Sequence, residues 1–484
     1  MPPKASANDQ PDSIDAFIAL AVACGEDWNQ LQANLVPALA QLIKKSGGKD
    51  QTAQTWQAVL AAPTAEGGDP LQILSPATSS LLWLYILIAR ADMRTFTQAV
   101  DFLNFVTAFG QQARVQIFLA PAMVHKLAQM VVDWCGPAAN YAIAPLSMLL
   151  RAVSQGTSPG TLTPIHRMFA YAALQAGNFT PEVQAIIAVP MTDLAPQYFP
   201  IAYQDHLLYH FYAGILAAAC GHYDRAIELL ELCVSAPTQS IPSAIQIDAY
   251  KKLVLIQLIH RGKVAALPRY TAPGVTSSCK NLTAYADLVS AFTRLDRAKF
   301  NETAQKHVEA IQKDGNYGLV SRCINRWNAF QIRNLTKTYV TLELPELARR
   351  LGLQPTAEGL QQCLNELQAL RDNREVFVSL VEATPGDLNT ATIEFGDDPE
   401  PHNTAKTVAK LEHVIRHART RTVITQQRDD EMASSIDFLK KASAASSGGG
   451  GGPGGMMGGF GGFGGIDEAD LWDVDDATAS SFFS

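Results

Sequence analysis

Apolar positions recur at helical spacing from Ile14 to about Leu370. In the middle of the chain a helix–turn–helix unit repeats. One helix runs into Gly177-Asn178-Phe179, the next into Gly221-His222-Tyr223, a third into Gly262-Lys263-Val264 and a fourth into Asp296-Arg297-Ala298-Lys299-Phe300, at spacings of 44, 41 and 34 residues. Each Gly or Asp stands where one helix must stop and reverse, and glycine adopts positive φ there at little cost. After the second turn Tyr223, Ala226, Ile227 and Leu230 follow i, i+3, i+4, i+7, and the small residues Gly214, Ala217, Ala218 and Ala226 permit close helix pairing. A period of roughly 35–45 residues without strands predicts an α-solenoid of TPR-like hairpins over residues 151–318, each burying its apolar face on its neighbours. Residues 14–150 read as helical but less regular, and an irregular helical bundle is the alternative.

The pattern changes at about Leu319. A long helix is expected over LVSRCINRWNAFQIRNLTKTYVTL, then a short one carrying Leu344, Leu347, Ala348 and Leu351 and ended at Gly352. Thr356 is the expected N-cap of a third helix with Leu360, Cys363, Leu364 and Leu367 on its inner face. Val376, Val378 and Leu380 then alternate with Phe377, Ser379 and Val381. Beyond Pro385-Gly386-Asp387, Ile393 and Phe395 alternate with Thr392 and Glu394, so a hairpin is expected. Three helices followed by a hairpin make a winged helix over residues 319–396. A further helix, 403–432, carries a narrow apolar stripe of Val408, Leu411, Ile415 and Ala418. Such a stripe suits a multi-helix assembly or a helix folded back on its own winged helix.

Composition separates a body from two ends. The chain has 484 residues, 47% hydrophobic and 17% charged, with net charge −8. Six acids and no Lys or Arg follow Lys441, so −6 of the −8 lies in the last 43 residues, and 13 of the 33 glycines fall between Gly448 and Gly465. Residues 433–484 are therefore expected to be a disordered Gly-rich, acidic tail, in which Leu471, Trp472, Phe482 and Phe483 form either a docking motif or a merely solubilising end. Residues 1–13 are polar, without the apolar core of a secretory signal. The longest apolar run, Leu81 to Ala89, is far short of the ~20 residues of a membrane span. Seven cysteines without a CxxC pair point to buried thiols in a reducing compartment.

No chemistry emerges. Gly156-Thr157-Ser158-Pro159-Gly160 matches G-x-S-x-G, but Pro159 has no N–H for an oxyanion hole. His413 and His417 lack a third ligand, the pair His206 and His210 reads as packing or a partner surface, and no HExxH or Gly-rich phosphate loop occurs. No catalytic residue, metal or cofactor is expected. DNA binding through the winged helix is disfavoured, because its third helix sums to −2 and the module holds eight basic against nine acidic residues.

A helical-repeat rod running into a neutral winged helix and a terminal helix resembles the PCI-domain family, the scaffold subunits of the proteasome lid, the COP9 signalosome and the translation initiation factor. Within it, Ile247 to Thr271 (IDAYKKLVLIQLIHRGKVAALPRYT), Leu335 to Leu353, Arg374 to Glu400 and the stretch ALQAGNFTPEVQAII from Ala173 resemble the signalosome branch. The resemblance covers residues 150 to 425 and is weak before that. It implies a non-catalytic subunit of a complex that removes a ubiquitin-like modifier from cullins, the isopeptidase belonging to a metalloprotease-type subunit. Its partners would be the other PCI and metalloprotease-type subunits, with cullin–RING ligases reached indirectly and neither nucleic acid nor membrane bound. The family joins winged-helix hairpins edge to edge and bundles C-terminal helices. Carried over, Val376, Phe377, Val378 and Leu380 with Thr392, Ile393 and Phe395 would be edge-pairing positions, and Val408, Leu411, Ile415 and Ala418 would enter the bundle. A lid or initiation-factor subunit, or a nucleic-acid-binding winged helix, is the alternative.

Overall fold

The computed structural model describes residues 13–46, 55–157, 160–196, 198–238, 241–373, 375–381, 388, 390–396, 404–436, 438–440 and 443. The fold is mainly α. The chain divides into two compact units, Met1–Trp327 and Asn328–Ser484.

In the first unit short helical segments between Ile14 and Ile73 precede α1 (Ser80–Asp92), α2 (Ala99–Gln112), α3 (Pro121–Cys135), α4 (Asn140–Ser154), α5 (Pro164–Ala176), α6 (Pro181–Ala188), α7 (Tyr203–Ala219), α8 (Tyr223–Val234) and α9 (Ala244–Arg261). α10 (Thr283–Thr293), α11 (Arg297–Lys306) and α12 (Tyr317–Asn325) follow. Leu81 to Ala89 forms most of α1. Apolar all round, it is buried on nearly every side, and Trp83 stacks on Phe109 at 5.4 Å. The α2–α4 pair is closer still: a Cβ on Gly110 would stand 2.7 Å from the backbone carbon of Met148.

Farther along, α7 and α8 pair through small residues as their sequence suggests. A Cβ on Gly214 would meet Leu230 Cγ at 2.8 Å, and Ala217 and Ala226 are buried beside it. Gly177, Gly221 and Gly262 adopt φ of 59°, 83° and 70° at the ends of α5, α7 and α9. The fourth turn differs from expectation. There the left-handed residue is Leu295, at φ 55°, and Asp296 instead caps α11, its carboxylate accepting from Lys299 N at 2.9 Å.

The α8–α9 connection is sealed by one side chain. Gln246, fully buried, donates to the carbonyls of Val234 (3.1 Å) and Ala236 (2.9 Å), while its Oε1 accepts from Ser243 N at 3.0 Å. Carbonyls at the end of α8 that have no helical partner are thereby satisfied. One turn later Lys251 meets Asp314 at 2.8 Å and Lys252 donates to Asn316 Oδ1 at 2.6 Å, while the Tyr285 hydroxyl donates to Asp314 and accepts from Asn316 Nδ2, each at 2.8 Å. This network ties α9 to α10 and to the turn before α12. A two-residue parallel pair, β1 (Thr161–Leu162) with β2 (Asp193–Leu194), closes the loop around Gly160.

The second unit holds most of α13 (Trp327–Thr336), then β3 (Thr341–Glu343), α14 (Leu344–Arg350), α15 (Ala357–Asp372), β4 (Phe377–Val381), β5 (Thr392–Gly396) and α16 (Ala405–Ser434). The long helix expected from Leu319 is two helices, α12 and α13. It divides at Arg326, where the chain brings Trp327 against Phe292 and Phe300, 4.8 and 5.6 Å away. Its end is not helical at all. β-Branched Val340 and Thr341 leave the helix for an extended course, Phe395 N donates to Val340 O at 2.8 Å, and Thr341–Glu343 pairs with β5.

The sheet order is β3-β5-β4, both pairings antiparallel, with Leu342 opposite Ile393 and Leu380 opposite Ile393 on the other side. Its core gathers Leu344, Leu347 and Ala348 of α14, Leu360, Cys363 and Leu367 of α15, and Val376, Ile393 and Phe395. Thr356 caps α15, accepting from Gly359 N at 3.3 Å, and Gly352 at φ 76° follows α14. The expected Pro385–Asp387 turn lies outside the described residues.

Candidate assembly surfaces

The groups able to do chemistry are mostly buried and neutral. Burial pushes the thiols of Cys233, Cys323 and Cys363 up to about 12, far from the thiolate that nucleophilic attack needs. Burial, reinforced by neighbouring His206, holds His210 down to about 3, and its Nδ1 lies 2.8 Å from His206 O, a packed and uncharged ring. His413 and His417 lie on the exposed α16, and among the described residues no group of three His, Cys, Asp or Glu is placed to hold a metal ion. Ser158 and Pro159 of the G-x-S-x-G string fall outside the described residues.

A cavity of about 410 Å³ that sequence reasoning missed lies between α6, α7, α8 and α9 and brings together Cys220, His222, Asp224 and His260. Its polar groups pair with one another. His222 bonds Gln184 at 3.2 Å, His260 meets Asp224 at 3.0 Å, and burial raises the Cys220 thiol. Among the described residues no helix is long and apolar enough to cross a membrane.

Exposed apolar side chains occur in both units, and those of the second lie mostly on β4 and α16. Just before β4 Val376 is buried, and on the strand Val378 packs on the core, but Leu380 and Val381 are 40% and 53% exposed. Phe377 is half-buried. β4 lies at one edge of the sheet, so alternate residues turn their main-chain N–H and C=O groups away from β5.

β5 is a different case and corrects the expectation. Thr392, Ile393 and Phe395 were expected on a pairing edge, yet β5 is the central strand, hydrogen-bonded to β3 on one side and β4 on the other. Ile393 and Phe395 are buried. The cause is the third strand: with β3 in place the hairpin has only one outer edge of its own, and the opposite edge of the sheet is β3.

α16 is the longest helix described, 30 residues, about 45 Å at 1.5 Å per residue, and no residue of it is buried. Val408 and Leu411 are each 49% exposed and Ile415 43%; Ala418 is exposed on the same stripe. The 3-4 spacing then continues through Thr422 and Thr425, whose hydroxyls donate to the carbonyls of Ala418 (3.0 Å) and Arg421 (2.8 Å) of their own helix. Those threonines have satisfied donors, and the spacing resumes at Met432, exposed on the last turn before the helix ends at an extended Ser435. Exposed Val414 also lies next to the stripe. Sequence reasoning passed over the continuation because Thr and Asp429 interrupt the hydrophobic signal.

Comparison with known proteins places this architecture. Residues 50–275 match the family described as COP9 signalosome complex subunit 3, N-terminal helical repeats. The chain is similar to that family over these residues. The match begins well ahead of residue 150, so the likeness extends to the less regular helices α1 to α4, which the sequence resemblance alone did not reach. The chain is 25% identical to COP9 signalosome complex subunit 3 of Drosophila melanogaster over 395 residues, covering 77% of this chain and 85% of the relative. It is 26% identical to the protein of the same name from Dictyostelium discoideum over 386 residues, 77% of this chain and 87% of that one.

Proposed function

We propose that the chain is a non-catalytic scaffold subunit of a COP9 signalosome, acting in the cytoplasm and nucleus on cullin–RING ligases only through the complex it helps to hold. The family match over the helical repeats carries this reading, and the alignment over most of the chain with proteins named as subunit 3 supports it. The second unit would serve as the winged helix of a PCI domain. Its β4 edge would receive a neighbouring strand, and α16 would enter a bundle with helices of other subunits. A helix this long with no buried residue cannot recover the entropy of its own ordering without a partner, which is why the stripe of Val408, Leu411, Ile415 and Ala418 is assigned to assembly.

Affinity purification of the full chain from native extract, followed by mass spectrometry, tests the proposal. Recovery of the other signalosome subunits is expected. A lone chain, or recovery of proteasome-lid or initiation-factor subunits, would overturn it.

A further inference from the structure

The basic residues of α16 are placed where its apolar stripe is barest. Glu412 is the only acid between Ala405 and Arg428, against Lys406, Lys410, Arg416, Arg419, Arg421 and Arg428. On a 3-4 stripe running through Ile415, Ala418 and Thr422, Arg419 and Arg421 flank the seam on opposite sides. Among the described residues, Arg416, Arg419 and Arg421 form no ion pair. The surface is thus an apolar seam with unneutralised cations on its borders. It asks for an acidic segment carrying a few large apolar side chains.

The chain itself carries such a segment. Outside the described residues lies IDEADLWDVDDATASSFFS, Ile466 to Ser484, with six carboxylates, no Lys or Arg, and Leu471, Trp472 and Val474 set among the acids. It is joined to α16 through a Gly-rich stretch. Ile415 stands about 28 Å from Ser434 along the helix axis at 1.5 Å per residue. The twenty-two residues between Ser443 and Ile466 span at most about 70 Å when extended, more than that distance. The reach therefore covers the distance, and the covalent connection makes the contact intramolecular, so a weak contact can be populated.

We propose that Ile466–Ser484 folds back on the α16 seam of its own chain, its carboxylates meeting Arg416, Arg419 and Arg421 and Leu471, Trp472 and Val474 covering Leu411, Ile415 and Ala418. The tail shields in the free chain an apolar surface that the fold leaves bare. The inference uses only α16 and the tail and stands whether or not the signalosome assignment does.

Hydrogen exchange on the purified full chain tests it, read on fragments covering residues 405–428 at 50 mM and 500 mM salt. Exchange of these amides is expected to be at least threefold slower in the full chain than in a chain lacking residues 466–484, with the difference shrinking at high salt. In the Arg419→Glu/Arg421→Glu background, deleting the tail should change nothing, and Leu471→Ala/Trp472→Ala should act like the deletion. Equal exchange with and without the tail at 50 mM salt would overturn the proposal. So would protection that fades when the protein is diluted, because that would place the tail on a second copy.

Discussion

The α7–α8 pair and α16 make opposite uses of similar side chains. In the pair, Leu216, Ala217, Ala226, Ile227 and Leu230 are all buried, and the helices approach so closely that Gly214 has no room for a methyl group. In α16, Val408, Leu411 and Ile415 follow the same kind of spacing and stay about half exposed. Helical periodicity therefore says that a face is apolar, not what covers it. What separates the two regions is the neighbour: a short turn with a left-handed glycine folds α8 back on α7, whereas no described helix returns onto α16.

Four changes test that contrast, the strongest first. Phe169→Ala in the fully buried face of α5 should cost about 3–5 kcal/mol, read as a lower denaturant midpoint. Next comes acid. His210 is held neutral to about 3 in the folded chain, while in the unfolded chain it protonates near its ordinary value of 6.5. The unfolded state then binds the extra proton, so stability falls as pH drops from 6.5 towards 4, by on the order of 2–3 kcal/mol from this residue. A melting-temperature profile should show that slope, and His210→Phe should flatten it. Gly214→Ala should cost about 1–3 kcal/mol, because Leu230 must move to admit the new methyl. Leu411→Asp or Ile415→Asp should leave chain stability within about 0.5 kcal/mol, while recovery of the proposed complex falls. A large loss of stability in these α16 variants would erase the distinction between the two regions.

The legibility of the sequence follows the same division. The turns at Gly177, Gly221 and Gly262, the cap at Thr356 and the inner face of α15 were readable because each depends on local chemistry. β3 was not. Thr341–Glu343 is three residues long, runs directly into α14, and is a strand only because β5, some fifty residues later, offers it hydrogen bonds. That non-local pairing moved Thr392, Ile393 and Phe395 from a free edge to the middle of the sheet. The close approach at Gly110 was equally invisible, since one glycine inside a helix does not announce the backbone of Met148 behind it. The cavity around Cys220 and His260 joins residues from separate hairpins, and no spacing along the chain encodes it.

The sheet of the second unit has two unlike ends: five residues of β4 at one, with Leu380 and Val381 exposed, and three residues of β3 at the other. Such a sheet has polarity. Neighbours that joined it by strand addition would meet different surfaces on its two sides, a head-to-tail geometry rather than a two-fold one. A row of subunits built that way has a beginning and an end, and a place in the row is a distinct address.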